Sequence, residues 1–320
     1  MHEPVLLSLG SINADFEVRV DEPLAEGLTL MAHDFARVGG GKAANVALLA
    51  HRLGHRAVLI GRVGDDDLRE QALAPLRQAG IDLRHVSTAP RTATAVSMIT
   101  VPPDGKKSIV LAPNANDRWD DAAVRDAVGA IAAAPEGSVL AVDYEVPADV
   151  VRAATEAAAS RGLRIVLDPS SADRVEADVL ARVHAIAPNA KEAEQLTGIA
   201  VDGSDAARRA ASRLADRGIA VVCVKMADGG CVLAHDRRFT LVPAADMEVV
   251  DSTGAGDAFT GGLAVALLEN KDPVEAACMA VAASGLAVTG YRSQESYPDR
   301  ERLDRLLPMI ADGVQACAGA

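Results

Sequence analysis

Short apolar runs alternate with longer helical stretches along most of this 320-residue chain. A parallel strand that is buried on both faces of a sheet has such a continuous apolar sequence, and a helix then returns the chain to the next strand. The alternation predicts an α/β fold with a mostly parallel sheet flanked by helices on both faces. Predicted strands lie at 5–10, 57–60, 139–143, 164–168, 185–187 and 220–224, and predicted helices lie near 67–79, 121–134, 147–161, 204–217, 273–288 and 299–312.

Composition limits the class of protein. Hydrophobic residues make up 49% of the chain but aromatic residues only 2%, so aliphatic side chains must form the core. A formal net charge of −13 argues against nucleic acid or an anionic membrane as a partner. The chain has no signal-peptide pattern, no apolar run long enough to span a membrane and no C-x-x-C pair. We therefore expect a cytoplasmic protein with reduced cysteines, and we treat residues 1–320 as a single domain.

Two β-rich segments, at about 16–37 and 91–112, interrupt the alternation. Turn residues such as Pro102-Pro103-Asp104-Gly105 punctuate them, as in hairpins. We expect the two segments to form one small accessory sheet that acts as a lid. Its predicted strands include 29–35, 95–101 and 108–112.

The stretch from Asp251 to Asp257 (Asp-Ser-Thr-Gly-Ala-Gly-Asp) carries the strongest chemical signal. Small residues at the start of an apolar helix leave backbone N–H groups unpaired beside the positive end of the helix dipole, which suits a bound phosphate. A carboxylate at Asp257 would repel phosphate, so a functional interpretation has it take a proton from a hydroxyl that attacks phosphorus. The alternative is that Asp257 only caps the helix.

A second glycine run, Gly39-Gly40-Gly41-Lys42, opens another predicted helix. Ala36 and Ala43 exclude a P-loop, which needs Gly and then Ser or Thr at these positions. Gly39-x-Gly41-x-x-Ala44 matches the dinucleotide fingerprint, but the segment before it is a poor buried strand. The third interpretation is a tight turn that brings backbone amides, Lys42 and Asn45 against a polyhydroxyl ligand.

Polar side chains follow several predicted strands, at the edge where open α/β sheets bind ligands. Asn13 and Asp15 can bind neighbouring sugar hydroxyls, although a polar loop that closes a strand has the same sequence pattern. Asn189 and Glu192 fit a capping box, or alternatively lie near phosphate and hold a hydrated Mg²⁺ through water. Asp143, Glu145 and Asp168 are the other polar groups at strand ends.

Together these motifs resemble the ribokinase branch of the PfkB carbohydrate kinase family over nearly the whole chain. The segment 251–259 resembles the family's D-T-x-G-A-G-D signature, and Gly39–Asn45 with Gly61–Asp66 resembles its first signature. Asn189-x-x-Glu192 matches the N-x-x-E motif. The resemblance implies a three-layer, Rossmann-like (ribokinase-like) fold with a small β-sheet lid, and it implies ATP and Mg²⁺ as cofactors.

The resemblance also implies roles for single residues. Asp257 would be the general base, and Gly254, Ala255 and Gly256 would form the anion hole for the transferred phosphoryl group. The sugar would be bound by Asn13, Asp15, Gly40, Gly41, Lys42, Asn45, Glu145 and Asp257. The nucleotide would be bound by Asn189, Glu192, Lys225, Ala227, Gly230 and Gly256, with Glu192 on the Mg²⁺ side. A monovalent cation, K⁺ in ribokinases, would lie at Asp251, Thr253, Ala287, Gly290, Arg292 and Ser296.

Three motifs depart from the family pattern. Ala43 stands where the glycine loop usually has another Gly, which reduces backbone freedom. Ala227 replaces a common Gly of the nucleotide segment. Tyr291-Arg292 replaces the usual Lys-Gly of the cation loop, which would bring a guanidinium group near the cation site.

We therefore expect an ATP-dependent kinase of a primary hydroxyl on a small sugar, with ribose or a related pentose as acceptor. The same-family alternatives are a fructokinase, a 2-keto-3-deoxygluconate kinase or a nucleoside kinase, for which Phe16 and Phe35 could stack on a base. A non-catalytic sugar or nucleotide sensor is disfavoured by the intact Asp257, and a nicotinamide-dependent dehydrogenase rests on the glycine fingerprint alone. We also expect a homodimer through the lid sheet, with Val18, Val20 and either Val96 or Met98 in the contact.

Overall fold

The computed structural model describes residues 3–27 and 29–317. The residues outside this description are Met1 and His2 at the N-terminus, Leu28 in the first predicted lid segment, and residues 318–320 at the C-terminus. The strands observed in the structure include those that the alternating pattern predicted. They are β1 Leu6–Leu9, β2 Asn13–Arg19, β3 Ala36–Gly40, β4 Ala57–Gly64, β5 Asp82–Ala89, β6 Ala95–Val101, β7 Ser108–Ala112, β8 Val139–Asp143, β9 Arg164–Asp168, β10 Ala185–Ile186, β11 Val221–Lys225, β12 Cys231–His235, β13 Arg238–Val242 and β14 Gln315–Ala316.

The large sheet has the strand order β14-β13-β12-β11-β10-β9-β8-β1-β4-β5. It is parallel from β11 to β5 and antiparallel from β11 to β14. Both faces are covered: Leu6 and Val139 belong to one buried apolar cluster, and Leu7 and Leu140 belong to the other. This confirms the expected α/β fold, and it places the carboxyl ends of the parallel strands along one edge.

Helices form the two outer layers. Helices α1, α2, α8, α9 and α11 pack on one face of the large sheet, and α3 to α7 pack on the other. The helices are α1 Lys42–Arg52, α2 Leu68–Ala79, α3 Asp121–Ala132, α4 Ala148–Ser160, α5 Ala177–Leu180, α6 Ala190–Thr197, α7 Ser204–Ala215, α8 Ala255–Leu268, α9 Pro273–Ala287, α10 Ser293–Ser296 and α11 Arg300–Asp312.

Helix α8 is buried almost all round and lies between α1 and α9. Its Gly262 sits so close to α9 that a Cβ there would lie 3.0 Å from the Cα of Ala280. Small residues at this contact let the two helices approach closely, which compensates for the scarcity of aromatic side chains. The same close packing fixes the first turn of α8 relative to the sheet edge.

The small sheet has the order β3-β2-β6-β7 and does not join the large one. Strands β2 and β6 are parallel, and the other two pairs are antiparallel. Residues at alternate positions of β2, namely Asn13, Asp15 and Glu17, are buried. The two β-rich segments thus form one accessory sheet, as expected.

Several local expectations were wrong. The strand expected at 29–35 is irregular apart from a bridge between Ala32 and Val20, and the real strand, β3, follows it at Ala36–Gly40. Val20 is only 4% exposed, so it cannot take part in a surface contact. Strand β5 was not expected, because its half-exposed sequence Asp-Leu-Arg-His-Val-Ser-Thr-Ala has no clear alternation.

The described residues contain no helix that is both long and apolar enough to cross a bilayer. Cys223, Cys231 and Cys278 are buried and Cys317 is half-buried, and all four are free thiols. The cysteines therefore belong to the packing of the protein rather than to a covalent framework.

Candidate active site

The glycine turn lies at the N-terminus of α8. Gly254 is the N-cap residue and has a left-handed φ of 76°. A Cβ on Gly254 would lie 2.6 Å from both the Cβ of Ser293 and the hydroxyl of Tyr297, so only glycine fits this position. Because Gly254 rather than Asp257 caps the helix, the interpretation of Asp257 as a mere cap is wrong.

The carboxylate of Asp257 is oriented by two residues of α1. Asn45 Nδ2 donates a hydrogen bond to Asp257 Oδ2 at 2.7 Å, and Lys42 Nζ lies 3.2 Å from Asp257 Oδ1. Asn45 is itself held by Gln294, whose Nε2 donates to Asn45 Oδ1 at 3.0 Å. Asp257 is 8% exposed, so its orientation is set by these contacts rather than by water.

Lys42 also contacts Asp168 at the end of β9. Its Nζ lies 3.5 Å from Asp168 Oδ2, which accepts a second hydrogen bond from Thr260 of α8. Burial opposes the charge on Lys42, but Asp168 and Asp257 outweigh that cost and raise its pKa. Burial likewise opposes ionisation of Asp168, yet Lys42 and then Lys225 hold the pKa of this carboxyl below its usual value.

The second glycine run brings α1 to this point. Gly39 and Gly40 belong to β3 of the small sheet, and Gly41 is the N-cap of α1, with a φ of 93°. The strand before the glycines is therefore not the first strand of a βαβ unit, which removes the dinucleotide interpretation. Ala43 lies inside α1, so the absence of a fourth glycine costs this turn no freedom.

The opposite wall of the site comes from β2 and the end of β8. Asn13 accepts a hydrogen bond from Asn116 and donates one to Ser97. Asp15 packs on Gly40 and keeps one oxygen without a hydrogen bond to any residue that the structure describes. Burial, followed by the charges of Glu145 and Asp257, raises the pKa of Asp15 to about 7, although a contact with Ser97 opposes the shift.

Two further acids lie beside this wall, one half-buried and one buried. Glu145 accepts a hydrogen bond from the Ser11 hydroxyl at 2.7 Å, and burial raises its pKa. Glu17 is fully buried, and neither of its carboxylate oxygens has a partner among the described residues. Burial, followed by the nearby charge of Asp251, raises the pKa of Glu17 to about 8.

On the far side of the glycine turn, Asn189 and Glu192 form the capping box of α6. Asn189 N donates to Glu192 Oε2 at 2.8 Å, and Glu192 N donates to Asn189 Oδ1 at 2.9 Å. Glu192 also lines the same cavity as Asp257. Lys225 follows at the end of β11, with its Nζ 3.7 Å from the point that a Cβ on Gly256 would occupy.

The predicted cation loop lies behind the turn. Asp251 accepts hydrogen bonds from Thr253 N at 2.8 Å and from Arg292 N at 3.1 Å. Arg292 has a left-handed φ of 73°, and its guanidinium group pairs with Glu295 at 3.1 Å. Ser296 lies against Gly290, since its Oγ would be 2.7 Å from a Cβ there. Arg292 therefore contacts Asp251 through its backbone N–H.

One cavity of about 630 Å³ joins these groups. Most of the predicted site residues line this cavity, namely Asn13, Asp15, Gly41, Lys42, Asn45, Glu145, Asn189, Glu192, Lys225, Ala227, Thr253, Gly254, Ala255, Gly256 and Asp257. The predicted residues that do not line it are Gly40, Gly230, Asp251, Ala287, Gly290, Arg292 and Ser296.

Sequence reasoning missed four residues of the site. Asn116 donates a hydrogen bond to Asn13, 103 positions away, and Gln294 donates one to Asn45, 249 positions away. Neither Asn116 nor Gln294 belongs to a recognisable motif. Asp168 was noted only as a polar strand end, and Lys107 lies unremarked in the turn after Gly105. Only Asp168 had a usable signal, its position at the carboxyl edge of the sheet.

Comparison with known proteins identifies the family of the chain. The sequence model of the family described as pfkB family carbohydrate kinase matches residues 4–300. The ribokinase of Haemophilus influenzae is 33% identical over 296 residues, which cover 92% of this chain and 96% of the relative. The deoxyribokinase of Salmonella typhi is 30% identical over 302 residues, which cover 94% of this chain and 98% of the relative. The structure of Arabidopsis thaliana ribokinase complexed with ribose and ATP superposes with a TM-score of 0.80 at 26% identity, covering 96% of this chain and 99% of that one.

The fold and the matches define a carbohydrate kinase, a phosphotransferase that acts on a sugar hydroxyl. The chain belongs to the PfkB family, and it is a sugar kinase of the ribokinase type with the ribokinase-like α/β fold.

Proposed function

We propose that this protein transfers the γ-phosphoryl group of ATP to a primary hydroxyl of ribose or a related pentose, with Asp257 as the general base. The observation that carries the proposal is the environment of Asp257. Its carboxylate is buried at the start of α8, lines the cavity and is oriented by Asn45 and Lys42. A base must be held in one orientation to take a proton efficiently, and these contacts do so.

In this proposal the sugar hydroxyl loses its proton to Asp257 while its oxygen forms a bond to the γ-phosphorus. The bond from phosphorus to the bridging oxygen of ADP breaks, and ADP leaves with that electron pair. The N–H groups of Gly254, Ala255 and Gly256, at the start of α8, stabilise negative charge on the phosphoryl oxygens during transfer. The Lys42 ammonium, 3.2 Å from Asp257 Oδ1, holds this carboxylate in place beside the cavity.

The sugar lies between the small sheet and α1, where Asn13, Asp15, Asn45 and Glu145 offer side chains to its hydroxyl groups. Gly41 lines the cavity, and Gly40 leaves room for the Asp15 carboxylate. The small sheet acts as a lid that excludes water. The nucleotide lies on the other side of the turn, along the segment Lys225–Gly230. Lys225 is nearest the phosphates because its ammonium group lies beside Gly256.

Mg²⁺ fits beside Glu192. Only one oxygen of this carboxylate is used in the capping box, and carboxylate oxygen, directly or through water, is a ligand that Mg²⁺ prefers. Burial raises the pKa of Glu192, and the charge of Asp168 adds to that effect while Lys225 opposes it. When bound with ATP, Mg²⁺ would neutralise phosphate charge; Asn189 and Glu192 hold and orient it.

A monovalent cation such as K⁺ fits the loop behind the turn. Thr253 Oγ1 is buried and has no partner among the described residues, and Asp251 supplies a buried carboxylate. Ala287, Gly290, Arg292 and Ser296 would add backbone or hydroxyl oxygens. The guanidinium group of Arg292 is paired with Glu295.

The acceptor has one specific rival class, a nucleoside. Phe16 and Phe35, the rings that could stack on a base, stack on each other with centroids 6.0 Å apart, and neither lines the cavity. This arrangement favours a sugar over a nucleoside. We also propose a homodimer through the small sheet and a cytoplasmic location.

The test is ADP release with MgATP over ribose, 2-deoxyribose, fructose, 2-keto-3-deoxygluconate and adenosine, in K⁺ and in Na⁺. We expect the highest kcat/KM on ribose or 2-deoxyribose and a higher rate in K⁺. A preference for fructose, 2-keto-3-deoxygluconate or adenosine would overturn the assignment of the acceptor.

A further inference from the structure

The loop between β6 and β7 is fastened to the residue just before the glycine turn. Gly105 O accepts hydrogen bonds from Ser252 N at 3.3 Å and from Ser252 Oγ at 2.7 Å. In return, Lys107 Nζ donates a hydrogen bond to Ser252 O at 2.8 Å. Three bonds to one residue hold this loop of the small sheet against the start of α8.

Lys107 brings a positive charge without a carboxylate partner to the start of α8. It lines the cavity, and no carboxylate lies within salt-bridge distance of its Nζ in the part of the chain that the structure describes. By contrast, Lys42 lies near two carboxylates, and Lys106 is exposed and lies 3.7 Å from Asp104. Burial lowers the pKa of Lys107, and the acids that partly oppose this are Asp257 and then Asp251. The ammonium group is therefore partly desolvated and faces the reacting side of the cavity.

A second ammonium group lies on the opposite side of the turn. Lys225 Nζ is 3.7 Å from the point that a Cβ on Gly256 would occupy, at the nucleotide end of the cavity. Lys107 is on the small-sheet side of the turn, where its loop is bonded to Ser252. The two lysines thus flank the N–H groups of Gly254 and Gly256, with no carboxylate partner for either within salt-bridge distance among the described residues.

We propose that Lys107 is a catalytic residue that contacts the transferred phosphoryl group, so that closure of the small sheet completes the charge that stabilises the transition state. The proposal rests on the proposed kinase reaction. During transfer the γ-phosphoryl group moves from the ADP oxygen toward the sugar oxygen, away from Lys225 and toward Lys107. A cation on the lid contributes only when the lid is closed over both substrates, which couples the chemical step to closure.

The experiment compares Lys107→Met with Lys106→Met. Both variants remove one lysine charge from the same loop, but only Lys107 reaches Ser252. We expect kcat of Lys107→Met to fall about 100-fold, as for removal of one donor to a developing oxyanion, with little change in the KM for sugar. Lys106→Met should keep the wild-type kcat, and Lys107→Arg should recover part of the loss.

A binding measurement separates a contact with the phosphoryl group from a structural effect. Aluminium fluoride with MgADP and sugar mimics the phosphoryl group in the transition state of transfer. Calorimetry should show that Lys107→Met binds this combination about 100-fold more weakly than wild type does. Affinity for MgADP alone should be unchanged. A rise in sugar KM with unchanged kcat, or equal behaviour of the two methionine variants, would overturn the proposal. Wild type without turnover on any sugar would overturn the kinase reaction itself, and would be recognised before the variants are compared.

Discussion

Lys42 Nζ lies 3.2 Å from Asp257 Oδ1, although the two residues are 215 positions apart. The contact joins the first turn of α1 to the first turn of α8, and the same ammonium reaches Asp168 of β9. Both helices begin at a glycine N-cap, so both present their first turns to one edge of the large sheet. The proposed base is thereby fixed between two helices and a strand.

Replacing Lys42 by Met should destabilise the protein. It leaves the buried Asp168 and Asp257 without their nearest counter-charge, and breaking a buried ion pair typically costs about 3–5 kcal/mol in the free energy of unfolding. Since Lys42 holds the pKa of Asp168 below its usual value, the loss should be largest above the ordinary value of 3.8 and should shrink as the pH falls below it. Urea denaturation at several pH values measures this. Lys42→Met with Asp168→Asn should recover part of the stability; no recovery would contradict the pairing.

Glu17 should make the protein less stable as the pH rises. Its pKa is about 8 in the folded protein and about 4.5 in an unfolded chain, so between these values the folded protein binds a proton that unfolding releases. Stability therefore falls across this window, by an upper limit of about 5 kcal/mol. Relative to wild type, Glu17→Gln should gain stability from pH 5 to pH 8 in K⁺-free buffer, whereas the exposed Glu22→Gln should not. Parallel stability curves for wild type and Glu17→Gln would show that Glu17 does not titrate in this way.

Gly254→Ala should abolish activity. The left-handed φ of 76° and the clash with Ser293 and Tyr297 would force the turn to move and displace its N–H groups. Gly129→Ala in α3 is the matched control, because a Cβ there meets nothing within 4 Å and should add about 0.5–1 kcal/mol of stability. Turnover and melting temperature are the measurements. An active Gly254→Ala variant would mean that the turn is not the anion hole.

Met98→Glu should weaken the proposed dimer. Met98 of β6 and Val110 of β7 are 62% and 67% exposed on the outer face of the small sheet, where a charge would be buried against a second copy. Met309→Glu, at a residue 71% exposed on α11, is the control. Light scattering after size exclusion should report monomer for Met98→Glu and dimer for Met309→Glu. Two variants of equal mass would place the contact elsewhere.

Much of the large sheet could be predicted because its parallel strands are buried on both faces. The strands 139–143 and 164–168 have the expected bounds, since each is a continuous apolar run that ends in Asp. The small sheet was harder to predict. Its strand β3 consists of Ala-Arg-Val-Gly-Gly, which reads as a loop, and it is a strand only because β2 pairs with it.

The site was predictable where a local motif carries the chemistry, as in the two glycine turns. Contacts made by tertiary structure were not predictable. Gln294 orients Asn45, and Lys107 reaches Ser252, across distances in sequence that no local pattern records. The Arg292 guanidinium pairs with Glu295, an exposed partner that no sequence pattern indicated.

The most direct test of the central claim is the rate of phosphoryl transfer by Asp257→Asn. Asparagine keeps the shape of the side chain but cannot accept the proton, so kcat with MgATP and the best sugar should fall about 1,000-fold while sugar binding persists. Sugar affinity by calorimetry and the melting temperature verify that the site is intact. A variant that turns over at the wild-type rate would contradict the account, because the base would then be another residue.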